Sequence, residues 1–314
     1  LANQLDSILG QSLPVGEIVI VDDLSTDATI DIVKTYQEKN PGLIKFEINK
    51  ERLGPSKNFE KALGLCKGEV IFLSDQDDEW LPQKVQVMVA AFKKNSDLEA
   101  LFTNGYLIDD KGKFLEGTLF ERIGFTKKVQ LKRRNTGMKR KLLRFENDIT
   151  GATLAIRSNL LQRCVPFELP PELLHDYWLG LHAALADHID WIDTPLIKYR
   201  IHPEQQVGLG RGVSLKKDAG SFQRYIQERY AFVCNQGKII NDLLKVYSSD
   251  ALQDARLRNQ QEILLFQLHR LKLPDNLLLR LVKVFKNIPR YKKSGRLTGK
   301  DLMKDIVKYV PQYY

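Results

Sequence analysis

Three aspartates, Asp75, Asp77 and Asp78, fall within four residues, directly after the apolar run Val70-Ile71-Phe72-Leu73. The run reads as a short buried strand. Carboxylates crowded at a strand end repel and raise one another's pKa values unless a cation sits among them. With no Cys or His in the stretch, the oxygens suit a hard ion such as Mg²⁺ or Mn²⁺. Such an ion is typically held by one or two carboxylates plus substrate phosphates. The chemistry on offer is therefore a metal–diphosphate site at the C-terminal end of a strand, where open α/β sheets bind ligands. A solvated acidic turn capping the next helix accounts for this stretch alone equally well.

A second acidic pair, Asp22-Asp23, follows Glu17-Ile18-Val19-Ile20-Val21, which also reads as a strand. In a parallel sheet both acidic ends share one edge. One carboxylate then accepts from a pyrimidine N3–H or ribose hydroxyls, while the other group holds a metal on the diphosphate. A turn plus helix cap explains Ser25-Thr26-Asp27, with Ser25 or Thr26 as N-cap; it explains less well the two acids before them. Asp176, in Leu174-His175-Asp176-Tyr177-Trp178, has apolar neighbours that would desolvate a carboxylate and raise its pKa. That suits a general base. An acid favoured by the dipole in a helix's first turn is the plainer alternative. Arg200 fits a phosphate clamp. His202, in Tyr199-Arg200-Ile201-His202, is a weaker candidate for the metal or diphosphate, a lone histidine being more often structural. Trp80 reads as core or pocket wall.

The elements that must carry these residues alternate. Leu5, Ile8 and Leu9 recur at helix spacing before Gly10, and a helix through Ile30, Val33 and Tyr36 follows the first strand. Lys45–Ile48 is a strand, and a helix runs from about Lys57 to Cys66. Pro82 starts the next helix, with Val85, Met88, Val89 and Phe92 on one face, before a strand over Leu98–Thr103. Strand–helix alternation predicts an α/β fold with a mostly parallel sheet. Further on, Thr150–Ile156 reads as a strand, and Pro195 splits Trp191-Ile192 from Leu196–Arg200. Residues 127–144 carry nine Lys or Arg and no acid. They read as a mobile loop and helix over an anionic ligand, or as a solvated segment.

The residues carry a resemblance. Val19–Asp27 followed by Asp75-Gln76-Asp77-Asp78-Glu79-Trp80 resembles family 2 glycosyltransferases. The DQDD-x-W wording, His175–Trp178 and Tyr199–His202 resemble its rhamnosyltransferase-like branch. The match spans about residues 1–208. It implies a GT-A fold, an NDP-sugar donor (dTDP- or UDP-linked), a divalent cation (Mn²⁺ or Mg²⁺) and inversion at the anomeric carbon. It implies Asp22 and Asp23 at the base, Asp75 and Asp77 as the pair for ribose and metal, and Asp78 in support. Asp176 takes the place of the catalytic base, and Lys57 and Asn58 fall in a donor-side helix. The acceptor would be a glycan or lipid-linked saccharide in cell-surface polysaccharide synthesis. The family opens with a strand ending in a Tyr-Asn or similar pair. This sequence starts at the helix after it, so a sheet short of that strand is expected.

Composition and charge set the rest. The chain has 314 residues, 43% hydrophobic and 28% charged, enough for one large core with an appendage. No apolar run approaches the ~20 residues of a membrane span. The opening Leu1-Ala2-Asn3-Gln4 lacks a signal peptide's basic and apolar regions, and three scattered cysteines argue for a reducing, cytoplasmic setting. Residues 1–214 hold 28 Lys+Arg against 30 Asp+Glu, a net of −2, and residues 215–314 hold 20 against 9, a net of +11, together giving +9. The expected organisation is a catalytic domain over 1–213 and a basic helical extension over 214–314. Within it, Leu277–Lys286 reads as amphipathic, either lying on the inner face of an anionic membrane or packing as a subdomain. A nucleic-acid-binding role is disfavoured, since no binding motif is present and residues 1–214 are net negative. A nucleotidyl or phosphoryl transferase would share the metal–aspartate site but should carry a phosphate-cradling glycine loop, and no GxxxxGK[ST] occurs.

Overall fold

The computed structural model describes residues 1–138, 142, 147–169, 173–202, 234, 236–245, 257–258, 260–262 and 264–265. The chain divides into two compact units, Leu1–Gly212 and Val213–Tyr314. In the second, residues 236–245 are helical and bury Gln236, Ile239, Ile240 and Leu243 on one stripe. Leu277–Lys286 lies outside the described residues. No helix among the described residues is long and apolar enough to cross a membrane.

The first unit opens with α1 (Ala2–Leu9), β1 (Ile18–Asp22), α2 (Thr29–Lys39) and β2 (Ile44–Ile48). Next come α3 (Pro55–Leu65), β3 (Val70–Phe72), β4 (Glu79–Trp80), α4 (Lys84–Lys94), β5 (Ala100–Ile108) and β6 (Phe114–Thr118). After them lie α5 (Leu119–Arg122), α6 (Lys127–Thr136), a 3₁₀ turn at Gly151–Thr153, β7 (Ala155–Arg157), a second 3₁₀ turn at Ser158–Leu160, α7 (Leu161–Cys164), α8 (His175–Leu185) and β8 (Ile189–Arg200).

The α/β class holds, but the main sheet is mixed rather than mostly parallel. Strands β1 and β2 pair in parallel, and a separate sheet runs β3-β7-β5-β8-β4, with β6 on β5. Of its pairs only β5–β8 is parallel. Strand–helix–strand alternation sets β3 and β5 in the same direction. The later β7 then inserts antiparallel between them, which local periodicity does not encode.

Three local expectations also change. Helix α2 starts at Thr29, not at Ser25 or Thr26, because the Ser25 N–H donates to Asp22 Oδ1 at 2.9 Å and holds those residues in a turn. The Thr29 N–H donates instead to Asp27 Oδ1 at 3.0 Å. Residues 151–153 form a 3₁₀ turn before β7 rather than continuing it. Strand β8 is one twelve-residue strand through Pro195. The register skips from Thr103↔Ile192 to Asn104↔Pro195, a bulge that accommodates a residue without an N–H.

The basic segment is docked along its described part. In α6, Lys127 pairs with Asp193, Arg133 Nε lies 3.3 Å from Asp148 Oδ2 and Arg134 Nη1 3.2 Å from Asp190 Oδ1. Arg134 also stacks over Trp191, 4.3 Å from the ring centre. Three of its cations thus meet acids of the same unit, two of them on β8. Residues 139–141 and 143–146 lie outside the described residues.

Candidate active site

The strand β1 delivers Asp22 and Asp23 at its C-terminal end, but β1 and β3 belong to separate sheets, so the two acidic ends do not share one sheet edge as expected. Asp22 is buried, and its Oδ1 accepts from Ser25. Asp23 accepts from three donors: Asn49 Nδ2 at 2.8 Å, the Leu53 N–H at 2.8 Å and the Gly54 N–H at 2.9 Å. Burial pushes its pKa up, but these hydrogen bonds and the nearby Arg52 outweigh it and hold the carboxyl below its ordinary range. Gly54 takes φ 76°, a left-handed conformation glycine adopts without strain, and Pro55 opens α3 after it.

On α3, Asn58 Nδ2 donates to the Val21 carbonyl at 2.9 Å, and its Oδ1 accepts from Asn49 at 2.8 Å. Lys57 donates to Glu60 and the Phe167 carbonyl at 2.7 and 2.9 Å. Asn58 therefore ties α3 to β1, and Lys57 ties it to Phe167.

The loop after β3 turns its carboxylates in different directions. Asp77 Oδ2 lies 2.9 Å from His202 Nε2. Asp78 is only 2% exposed; its Oδ1 accepts from the Arg200 N–H at 2.8 Å, and its Oδ2 has no partner. Burial, then Asp75, pushes its pKa well above the carboxylate range. Asp75 keeps some contact with solvent in dense surroundings. Burial, then Asp77, then Asp176 push it up to about 7, with Lys84 opposing. Among the described residues, no three His, Cys, Asp or Glu side chains gather closely enough to form a complete metal cage.

The guanidinium of Arg200 donates to the Asp77 carbonyl at 2.7 Å, to the Asp109 and Asp110 carbonyls at 2.9 and 3.2 Å, and to Glu79 Oε1 at 2.9 Å. Expected as a phosphate clamp, it instead straps the acidic loop to the β5–β6 hairpin. Glu79, which also accepts from Lys198 at 2.8 Å, is held below its usual range by Lys198 and Arg200 against the effect of burial.

Asp176 sits in the first turn of α8, a helix buried on every side. It is 7% exposed, and its Oδ1 accepts from the Tyr177 N–H at 2.6 Å. Burial pushes its pKa up to about 6, against hydrogen bonds from the Tyr177 and Gly151 backbone and from Asn147. The turn that hydrogen-bonds it, Gly151–Thr153, lies beside the acidic loop, because the Leu73 N–H donates to the Leu154 carbonyl at 2.9 Å.

Three neighbours carry no role of their own in the sequence. Gln4 of α1, with its amide turned so that both ends are satisfied, accepts from Trp80 Nε1 at 3.2 Å and from Ser74 Oγ, and donates to the Asp78 carbonyl. Trp80 therefore both packs in the core and is fixed by its indole N–H. His175 stacks flat on Phe59 at 3.8 Å, with neither ring nitrogen partnered. Burial lowers its pKa to about 3, so the ring is neutral. A Cβ at Gly151 would come within 3.1 Å of His175 Nε2, so only glycine fits there without displacement. The third is Lys84, a lysine with no exposed surface. Gln4 and His175 lie in ordinary helical patterns, and a lysine at a helix start reads as solvated.

Comparison with known proteins gives one family and several relatives. The family model described as Glycosyl transferase family 2 matches residues 1–163. An uncharacterized glycosyltransferase of Methanocaldococcus jannaschii is 26% identical over 185 residues, 59% of each chain. The poly(ribitol-phosphate) beta-glucosyltransferase of Bacillus spizizenii is 37% identical over 76 residues, 24% of this chain and 12% of that one. Residues 1–349 of S. aureus TarS, solved with UDP-GlcNAc, are similar at 16% identity and a TM-score of 0.49, over 98% of this chain and 86% of that one. The chain spans less than two thirds of the length of these two sequence relatives.

Proposed function

The chain belongs to glycosyl transferase family 2, with a GT-A type α/β fold, and from that premise we propose that it is an inverting, metal-dependent glycosyltransferase. It would move a sugar from a nucleoside-diphosphate donor to a hydroxyl of a glycan or lipid-linked saccharide in cell-surface polysaccharide assembly. The observation that carries this reading is that the Leu73 N–H donates to the Leu154 carbonyl at 2.9 Å, so the acidic loop leaves β3 beside the Gly151–Thr153 turn whose backbone hydrogen-bonds Asp176. A donor-side acid pair and a buried carboxylate that can act as base share one site.

The Asp77–His202 pair, 2.9 Å apart, could contribute two ligands to a divalent cation, Mn²⁺ or Mg²⁺, with Asp75 close by in the same loop. Burial first, and then its acidic neighbours, push Asp75 up, and a cation beside it would oppose both. One or two carboxylates suffice when substrate phosphates and water complete the shell. The cation would neutralise the departing diphosphate. Asp78, turned inward, supports the loop from beneath. The edge at Asp22 and Asp23 would receive the nucleotide base. Asp176, raised only to about 6, is mostly ionised at pH 7 and can take the acceptor hydroxyl's proton as it attacks. Attack opposite the leaving group inverts the anomeric centre.

The surface-polysaccharide setting is supported by the name of the poly(ribitol-phosphate) relative. The Asp75–Trp80 and Tyr199–His202 wording puts L-rhamnose first among the sugars to try. A panel of dTDP-, UDP- and GDP-sugars with Mn²⁺, with product analysis, tests the reading. Sugar transfer or donor hydrolysis with release of the intact diphosphate supports it; phosphoryl transfer, or no reaction with any donor, contradicts it.

A further inference from the structure

Lys84 is the first residue of α4 and has no exposed surface. Its position is costly twice over. A buried ammonium loses its hydration, and a cation at a helix N-terminus faces the positive end of the dipole. Its carbon chain does not lead the charge to water; the ammonium ends inside the unit. There its Nζ donates to the Ala152 carbonyl at 2.8 Å and sits 4.2 Å from the centre of the Trp80 ring. Asp78 and Asp75 are the acids whose fields reach it, and burial brings its pKa down to about 7 against their pull.

These contacts join the two halves of the site. Ala152 lies in the 3₁₀ turn Gly151–Thr153. The Gly151 backbone hydrogen-bonds the Asp176 carboxylate, and Gly151 also packs against His175. Asp78 belongs to the acidic loop that Gln4 and Arg200 tether, and Trp80 to β4 directly after it. One side chain thus touches the turn that holds Asp176 and the Trp80 ring that follows the acidic loop. Packing alone would be served as well by methionine, and replacing buried charge by apolar groups is often neutral or stabilising.

We infer that Lys84 is a positioning residue of the transfer reaction: its buried ammonium fixes the Gly151–Thr153 turn and the Asp75–Asp78 loop in one mutual arrangement, setting the distance between the base and the donor. This rests on the glycosyltransferase reading of the site. The charge counters Asp78 beneath the loop, and the hydrogen bond to Ala152 sets the turn.

The test uses the full chain as wild type, Lys84→Met and Lys84→Met/Asp78→Asn, each confirmed by cooperative thermal unfolding. The double variant removes both buried charges and keeps the test open should the single variant not fold. Three quantities are read: kcat and donor KM with the donor found by the panel, Mn²⁺ binding without donor by calorimetry, and amide exchange over residues 151–154 in the free protein. We expect kcat to fall tenfold or more in the folded variants, with donor KM within threefold. Mn²⁺ binding by Lys84→Met should be no weaker than wild type, because a competing positive charge is gone, and exchange over 151–154 should quicken. Turnover within twofold of wild type overturns the inference. So does a parallel loss of Mn²⁺ affinity, donor affinity and kcat, the mark of a collapsed site. If wild type uses no donor, the reading of the site fails by itself; the exchange measurement still judges Lys84, and unchanged exchange overturns its role.

Discussion

His202 Nε2 lies 2.9 Å from Asp77 Oδ2, across 125 positions of sequence. The contact closes the end of β8 onto the acidic loop and presents an imidazole and a carboxylate together, the one nitrogen–oxygen pair of the proposed cation site.

Asp77→Ala should therefore abolish Mn²⁺-dependent binding of the nucleoside diphosphate while the fold persists. The lost pair is partly exposed and worth at most about 1 kcal/mol. Its loss also removes a charge that pushes Asp75 up, so the metal-free melting temperature should stay close to wild type. UDP and dTDP titrations with and without Mn²⁺ measure this. Unchanged nucleotide affinity would remove Asp77 from the site.

The acidic site should set the pH dependence of stability. Asp75 is raised to about 7 and Asp176 to about 6 from an ordinary 3.8. Between these values the folded state binds more protons than the unfolded one. Their contribution is thus full below about pH 4 and is lost as pH rises through 6 to 7. Buried neutral His175 and His182, their pKa values lowered to about 3, act in the opposite sense below pH 6.5, so the test is relative. Raising the pH from 4.5 to 7.5 should lower the melting temperature of metal-free wild type relative to that of Asp75→Asn, and Mn²⁺ should raise the melting temperature more at pH 7.5. The absence of that relative fall would contradict the shift.

Asp23→Ala leaves the Asn49 amide and the Leu53 and Gly54 N–H groups without their acceptor. An orphaned polar group costs about 1–3 kcal/mol where water cannot replace the partner. Leu53 is exposed and Asn49 keeps Asn58 as acceptor, so we expect about 1 kcal/mol lost in denaturant unfolding, and a weaker nucleotide affinity because the 53–54 loop is released. Stability within 0.5 kcal/mol of wild type would show the loop is held by other means.

Much of this was legible in the sequence, and the rest was hidden for physical reasons. The aspartates at the ends of β1 and β3 are visible because apolar runs stop abruptly at acids. Asp176 stands out by its aromatic neighbours. The insertion of β7 between β3 and β5 is not visible, because pairing partners distant in sequence leave no local period. Arg200 has the chemistry of a phosphate clamp in sequence, whereas its partners, mostly backbone carbonyls, appear only in three dimensions. Lys84 sits where a lysine is ordinarily solvated, and only its burial reveals it.

Residues 215–314 carry a net +11, and we propose that they bring the enzyme to the inner membrane face. Each Lys or Arg near an anionic surface gains about 1 kcal/mol. Co-sedimentation with phosphatidylserine-containing vesicles should be strong at low salt, weak at high salt and absent with neutral vesicles. Equal, negligible binding to both kinds of vesicle would contradict the proposal.

The most direct test of the central claim is Asp176→Asn, which keeps the side chain's shape and removes its basicity. General-base catalysis is typically worth about 10²–10⁴-fold. The lost interaction belongs to the transition state, so the donor Kd should be unchanged. The account predicts a fall in kcat of about that size, donor Kd within about threefold of wild type, and a wild-type product whose anomeric configuration is opposite to the donor's. Turnover near wild type in Asp176→Asn, or a product that keeps the donor's configuration, would contradict it.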